Sequence, residues 1–123
     1  MQVILRNLHS RETDLGATGP LEVRTGDTVV YSGRYGLDLG EVLSVDVSDQ
    51  IRRQYKQEYS VERVAAQGDL DRYYSQEREA HSAARECSLR VDEHRLEMRV
   101  VSAHFLLDRS KMLVFFVSEH RVD

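Results

Sequence analysis

Hydrophobic and polar positions alternate over most of the first half of the chain, and this pattern predicts short β-strands. Glycine-containing turns separate the alternating segments, as they do between neighbouring antiparallel strands. The predicted strands are residues 1–8, 21–23, 28–31, 37–47 and 59–66. The turn-rich segment 10–20, which holds the only proline, is predicted to be a surface loop, and 49–57 is a polar segment. We therefore expect an antiparallel β-meander.

From Asp69 the hydrophobic period changes to three and four residues, which predicts one long amphipathic helix. Asp69 is a favourable helix N-cap, and the buried stripe is small in its middle, which would let the helix lie close to a sheet. The positions of this stripe are Leu70, Tyr73, Glu77, Ala80, Ala84, Cys87, Val91 and His94. At 3.6 residues per turn the helix has about seven turns.

After His94 the period returns to two, which predicts a C-terminal β-hairpin. Its strands are residues 98–107 and 112–117, joined by a turn at 108–111 that begins with aspartate. Every position of 112–117 is apolar, so we expect this strand to be central and covered on both faces. The predicted fold class is α+β: an antiparallel β-meander, one long helix and a C-terminal β-hairpin.

The length and composition of the chain restrict its class and its setting. Its 123 residues fit a single domain, residues 1–123. The 17 Lys and Arg residues against 21 Asp and Glu residues give a net charge of −4, which argues against a general polyanion binder. Cys87 is the only cysteine, so a disulfide within the chain is excluded, and a reducing, cytoplasmic setting is the simplest interpretation. No apolar run is long enough for a membrane span.

Catalytic and metal-binding motifs are weak in this sequence. It has no phosphate-binding glycine loop and no nucleophile elbow. Cys87 and His94 lie seven residues apart, about 10.5 Å along a helix, which is too far for a nucleophile and its base. Glu77, His81 and His104 could share a metal, although a solvated helix face is the more common reason for such spacing. We expect no enzyme activity, no catalytic residue, no cofactor and no metal.

The most basic stretch of the chain surrounds Tyr55. Arg52, Arg53 and Lys56 interleave with Tyr55 and Tyr59, a composition that suits base stacking and phosphate binding. A solvated loop is the alternative, and it is favoured because the protein as a whole is acidic. Both interpretations stay open at this point.

The segment 33–36 has glycine at both ends and superficially matches the G-x-x-G loop of KH domains. That loop joins two helices, whereas predicted strands flank this segment. A hairpin turn is therefore the simpler interpretation, and Arg34 within it is a candidate RNA contact.

Several segments of the chain, taken together, resemble a known family. The segments are 26–30, 34–42, 84–87, 93–101, 105–116 and 121–123, with the sequences GDTVV, RYGLDLGEV, AREC, EHRLEMRVV, FLLDRSKMLVFF and RVD. They closely resemble the PSP-one domain, the conserved C-terminal region of the polymerase suppressor protein, which bacterial YaaT/RicT-type scaffold proteins share. The family-motif positions are Gly26, Asp27, Gly36, Gly40, Cys87, His94, Lys111, Phe116, Arg121 and Asp123.

The resemblance implies a regulatory role without a reaction. Bacterial members of the family are non-catalytic cytoplasmic scaffolds that join protein partners, and their complexes influence a phosphorelay and RNA processing. The alternative is a direct RNA-binding module with an Arg-rich patch. Its residues would be Arg34, Arg52, Arg53, Tyr55, Lys56, Lys111 and Arg121.

The chain departs from the family pattern in several places. Arg95 and His120 stand where the family usually has glycine, so the helix ends either with strain at Arg95 or in another way. Family members continue beyond Asp123 into further elements, including a helix that would cover the strand 112–117. We therefore expect this strand to be uncovered here and to promote self-association. The cysteine-rich tail of RicT-type proteins is absent, so iron–sulfur ligation is not expected.

Overall fold

The first half of the chain forms a closed five-stranded β-barrel. The structure, a computed structural model, describes residues 1–118. The barrel strands are β1 (Gln2–Asn7), β2 (Thr13–Ala17), β3 (Thr28–Ser32), β4 (Leu37–Ser44) and β5 (Glu58–Val64). Their order is β1-β2-β5-β3-β4, and β4 pairs back to β1. All neighbours are antiparallel except β2 and β5, which run parallel.

The alternating pattern fills the barrel interior with aliphatic side chains around one tyrosine. The buried cluster consists of Val3, Leu5, Val23, Val29, Tyr31, Val42 and Val61. Successive residues of a strand point to opposite faces, so alternate positions of β1 and β3 supply four members of this cluster. Burial of each such side chain contributes roughly 1.5–3 kcal/mol. The barrel is therefore held together mainly by this apolar interior.

The predicted surface loop 10–20 is wrong in its middle, because residues 13–17 form β2. Leu15 and Gly16 of this strand are buried, and the strand pairs with β1 on one side and β5 on the other. Its run of five residues, one of them a glycine, is too short to show a clear period in the sequence. Pairing with two neighbours, rather than intrinsic propensity, stabilises it.

Two other segments of the first half also differ from their predicted form. Residues 21–23 form no strand, although Val23 is buried in the barrel interior. Within the polar segment 49–57, a single helical turn, α1 (Asp49–Arg52), begins after Ser48, whose Oγ accepts a hydrogen bond from the Ile51 N–H at 3.2 Å. Serine is a favoured residue at this N-cap position.

The long helix α2 spans Gln67–Glu93 and thus begins two residues before the predicted N-cap. Asp69 is its third residue, and the Asp69 carboxylate accepts a hydrogen bond from the Ala66 backbone N–H at 2.8 Å and another from Arg63 Nη2 at 2.8 Å. An acidic side chain at the third position satisfies an N–H group that the helix leaves unpaired. Asp69 therefore stabilises the start of the helix from inside it.

The chain consists of two compact units whose boundary lies within α2. The first, Met1–Leu70, contains the barrel and is called the barrel unit below, and the second begins at Asp71 and is called the C-terminal unit.

The end of α2 is a left-handed turn at Arg95, whose φ is +53°. The Arg95 N–H donates to the Asp92 carbonyl oxygen and the Leu96 N–H donates to the Val91 carbonyl oxygen, both at 3.1 Å. These two bonds define a Schellman motif, in which glycine usually occupies the left-handed position. Of the two alternatives raised by the missing glycine, the structure shows the strained ending.

The C-terminal hairpin consists of β6 (Met98–Phe105) and β7 (Met112–Ser118), which confirms the α+β class and the hairpin. The turn begins at Asp108, whose Oδ1 accepts from the Ser110 N–H at 3.0 Å. The expectation that the second strand is central and covered on both faces is wrong. Among residues 1–118, β7 has only β6 as a neighbour, and Phe116 is 55% exposed. A continuous apolar run cannot distinguish a covered strand from one whose partner lies elsewhere.

Candidate functional site

The basic segment that the sequence suggested lies on α1 and the turn after it. Arg52 forms an ion pair with Asp49, 3.0 Å from Nη2 to Oδ1, and Arg53 is the C-cap residue of the helix. The Tyr55 hydroxyl donates to Thr13 Oγ1 at 3.0 Å, which ties it to β2. Lys56 is exposed. Part of the basic charge of this segment is therefore balanced locally.

Arg34 lies on the turn between β3 and β4 together with Tyr35, which confirms the hairpin interpretation of segment 33–36. Hydrogen bonds to the hydroxyls of Tyr35 and Tyr59 raise the pKa of the Arg34 guanidinium above its usual value. The Tyr59 hydroxyl in turn donates to Gln57 Oε1 at 2.8 Å. We call Arg34, Tyr35 and Tyr59 the Arg34 cluster. It combines an exposed cation with two aromatic side chains, a composition that suits contact with a phosphate and a stacked base.

The remaining two residues of the predicted patch lie elsewhere in the chain. Lys111 belongs to the C-terminal unit, where its carbonyl oxygen accepts from the Leu106 N–H at 3.1 Å next to the hairpin turn. Arg121 lies outside the described residues. The structure thus places five of the seven patch residues in the barrel unit: Arg34, Arg52, Arg53, Tyr55 and Lys56.

The family-motif glycines of the barrel unit shape its turns and its interior. Gly26 has φ +95°, a conformation that L side chains rarely adopt, and its N–H donates to the Val42 carbonyl oxygen at 2.8 Å. The Asp27 carbonyl oxygen accepts from the Val42 N–H at 2.8 Å, so the Gly26-Asp27 turn is fastened to β4. A Cβ atom on Gly40 would lie 3.0 Å from Cε1 of the buried Tyr31 ring. These positions therefore have structural roles.

The other motif positions lie at scattered places. Gly36 is in the β3–β4 turn, Cys87 is half-buried on α2, and His94 is exposed at the end of α2. Phe116 is exposed on β7. Arg121 and Asp123 lie outside the described residues.

A buried polar network in the barrel unit has no counterpart in the sequence predictions. Asn7 Nδ2 donates to the Tyr31 hydroxyl at 2.8 Å and to Asp38 Oδ2 at 3.2 Å, while Asn7 Oδ1 accepts from the His9 and Ser10 N–H groups. Asn7 and Asp38 are both buried. Asp38 alternates with leucines in the sequence, which suggested a solvated position, so no sequence signal identified it as buried.

The network extends to a carboxylate through Tyr31. Its hydroxyl donates to Asp14 Oδ2 at 3.0 Å. Burial raises the pKa of Asp14 above its usual value, and the hydrogen bond from Tyr31 opposes that effect in part. Burial also raises the pKa of Tyr31 well above the ordinary value for a phenol. The network contains a carboxylate with a raised pKa, and its hydrogen bonds join β1, β2, β3 and β4 at one place.

In the C-terminal unit, α2 contacts the hairpin through polar side chains. His104 Nδ1 lies 2.6 Å from Glu77 Oε1, and Gln76 Nε2 donates to the Leu107 carbonyl oxygen at 3.4 Å. His81, the third residue of the suggested metal set, is exposed. In the part of the chain that the structure describes, no cluster of three metal-ligating side chains includes His81. The Glu77–His104 pair instead connects the helix to β6.

The C-terminal unit leaves several large apolar side chains in solvent. These are Leu89, Leu96, Val101, Met112, Phe116 and Val117, and Leu89 is the most exposed of them at 63%. Soluble proteins expose single apolar residues routinely, whereas a contiguous apolar patch marks an interaction surface. We call these six residues the exposed apolar set.

Comparison with known proteins identifies the family. The family model described as PSP1 C-terminal conserved region matches residues 59–123, which span β5, α2 and the hairpin. Stage 0 sporulation protein YaaT of Bacillus subtilis (strain 168) is 35% identical over 92 residues, which are 72% of this chain and 32% of that protein. The chain belongs to the PSP1 family, which confirms the resemblance.

Three further findings accompany the family match. The aligned part spans about a third of the length of the curated relative. No solved structure matches the chain. Among residues 1–118, no helix is both long and apolar enough to cross a membrane.

Proposed function

We propose that this chain is a non-catalytic regulatory scaffold of the YaaT type. It would act in the cytoplasm and assemble protein partners that influence phosphorelay signalling and RNA processing. Membership of the PSP1 family and the similarity to a sporulation protein support this proposal. The similarity covers about a third of that relative, so a scaffold role for this part is itself proposed.

The observation that carries the proposal is the exposed apolar set. A large apolar side chain gains about 25 cal/mol for each Å² that a partner removes from water. Leu89 on α2 is surrounded in sequence by charged and polar residues, so a partner that covers it would also meet a polar rim. An apolar centre with a polar rim supports the proposal of a protein–protein interface here.

Affinity purification of the tagged protein from native cytoplasm, with and without ribonuclease, tests the proposal. We expect partners that survive the nuclease, that rebind as purified proteins, and that bind more weakly to Leu89→Gln. Ile51→Gln is the matched control, because Ile51 is an exposed apolar residue of a helix in the barrel unit. Partners that disappear with the RNA, or that bind both variants equally, would count against the scaffold.

A second candidate function is direct RNA binding, and the Arg34 cluster favours it. Single-stranded nucleic acid combines phosphates with flat bases, and an arginine hydrogen-bonded to two tyrosines offers contacts to both. The acidic net charge of the chain opposes this function.

The salt dependence of RNA affinity tests this second function. Each phosphate contact contributes about 0.7 to the slope of log affinity against log salt for single strands. Arg34→Ala and the double change Arg52→Ala with Arg53→Ala should each reduce this slope, whereas Arg24→Ala, an exposed control in the barrel unit, should not. A flat salt response of the unmodified protein would exclude the function.

The scaffold proposal includes self-association of the chain through its C-terminal strand, β7. Its exposed Met112, Phe116 and Val117 support this part. A strictly monomeric mass by light scattering at high concentration would count against it.

A further inference from the structure

β7 is an edge strand without the usual protection against pairing. The seven residues Met112–Ser118 include no charged residue, proline or glycine, although charged residues make up 31% of the chain. Natural edge strands are commonly protected by charges, prolines or bulges. The only bulge of the hairpin adds Val101 to β6 and leaves β7 regular. In the described part of the chain, β7 is therefore open to a further strand.

The hairpin register shows which backbone groups of β7 face the open edge. The Leu106 N–H donates to the Lys111 carbonyl oxygen at 3.1 Å, which makes this a hydrogen-bonded pair next to the turn. In an antiparallel pair, hydrogen-bonded and non-hydrogen-bonded positions alternate along each strand. The N–H and C=O groups of Met112, Val114 and Phe116 therefore point away from β6.

We propose that β7 pairs antiparallel with β7 of a second copy of this chain, in a register centred on Phe115. This centre aligns all seven residues of the two strands and places Val114 opposite Phe116 of the second copy. The outward groups of Val114 and Phe116 then meet in hydrogen-bonded pairs. Four such pairs with two bonds each give about eight backbone hydrogen bonds across the interface. The two hairpins become one four-stranded sheet, which is more stable than an isolated two-stranded one.

The charges along the strand favour a second copy over another occupant. A partner strand with charged residues would set these charges opposite the apolar side chains of β7, where no opposite charge could pair with them. The second β7 is uncharged at every position. Antiparallel pairing keeps the Lys111 residues of the two copies at opposite ends of the interface, whereas parallel pairing would set these like charges side by side.

This inference deepens the self-association part of the proposed function and rests on that part alone. Its test uses Phe116→Lys and Val114→Glu, each of which places a charge in the proposed interface. Sedimentation velocity over about a hundredfold range of concentration should show a monomer–dimer equilibrium for the unmodified protein. Each variant alone should weaken the dimer about tenfold or more, because each charge faces an apolar residue twice in the symmetric dimer.

An equimolar mixture of the two variants should restore the dimer, because lysine at 116 of one copy then faces glutamate at 114 of the other. Val101→Lys is the matched control, since Val101 is 58% exposed on the other strand of the same hairpin. Its dimer should resemble that of the unmodified protein. Circular dichroism of each variant checks that the hairpin and helix remain folded.

Amide hydrogen exchange supplies a readout that needs no variant. The N–H groups of Val114 and Phe116 should exchange more slowly as the concentration rises, while the N–H of Leu113, which points to β6, should not change. A monomer at all concentrations, or a dimer that ignores Phe116→Lys, overturns the inference. Failure of the mixture to dimerise, with both variants folded, overturns the register. Partner capture by monomeric Val114→Glu, a change outside the exposed apolar set, separates any of these results from a failure of the scaffold role.

Discussion

Replacing Arg95 with glycine should stabilise the protein, because this arginine occupies the left-handed position of a Schellman motif. Its φ is +53°, and a residue with a Cβ atom pays about 1–2 kcal/mol in this region. Glycine avoids that cost but loses about 0.5–1 kcal/mol through the greater freedom of the unfolded chain. In the described residues, the Arg95 side chain has no hydrogen-bond or ion-pair partner, so little else is lost. The expected net gain is about 0.5–1 kcal/mol.

Urea denaturation followed by the helical circular dichroism signal measures this gain. Since the entropy of unfolding scales with chain length, 1 kcal/mol corresponds to roughly 4 °C in Tm for 123 residues. Arg95→Ala is the matched control, because alanine removes the same side chain but keeps the Cβ atom. If alanine stabilises the protein as much as glycine, the backbone argument is refuted.

Arg109 provides a second comparison, because its φ is +59° and yet its side chain has partners. The guanidinium binds the Glu79 carboxylate at 2.7 and 3.2 Å, and it lies 4.5 Å from the Phe105 ring centroid. Glycine at this position relieves the same strain but loses both contacts. We expect Arg109→Gly to give no net gain, and a gain equal to that of Arg95→Gly would mean that the side-chain contacts contribute nothing.

Three further changes test other parts of the structure. Asp69→Ala should cost about 0.5–2 kcal/mol in denaturant unfolding because α2 loses its N-terminal acceptor, whereas Asp69→Asn, which keeps an acceptor, should cost less. Tyr31→Phe should lower the free energy of unfolding by about 1–3 kcal/mol because it leaves the Asn7 side-chain N–H and the Asp14 carboxylate without the Tyr31 hydroxyl as a partner. Tyr35→Phe, at an exposed turn, should have a smaller effect than Tyr31→Phe. Because burial raises the pKa of Asp14, the folded protein holds this proton more tightly than the unfolded chain, and ionisation opposes folding. The stability of Asp14→Asn relative to the unmodified protein should therefore rise as pH increases from about 3.8 through the higher folded pKa, and a difference independent of pH would contradict this.

The sequence predicts elements whose periodicity is long or whose turns are distinctive. The helix over α2, the hairpin of β6 and β7, and the strand β5 all follow from such patterns. β2 could not be found because five residues with a glycine carry almost no period, and only its pairing with β1 and β5 stabilises it. The closure of the barrel depends on such long-range pairings, which no local pattern encodes.

In the candidate site, too, local patterns predict some features, while others depend on contacts between distant residues. The basic residues around Tyr55 could be identified by composition. Composition could not show that Asp49 pairs with Arg52 or that Tyr55 hydrogen-bonds to Thr13. The Arg34 cluster joins residues that are 25 positions apart in the sequence, so only the fold brings them together. The apolar run 112–117 by itself predicted a covered strand and not the exposure of Phe116, because such a run has the same sequence whether or not a partner covers it.

The most direct test of the scaffold role is the composition of complexes purified with the tagged protein from native cytoplasm after ribonuclease treatment. We expect protein partners to remain bound without RNA, and we expect Leu89→Gln to weaken their binding while Ile51→Gln does not. Complexes that fall apart when RNA is digested, and that depend on Arg34 instead, would contradict the scaffold and establish the RNA-binding alternative.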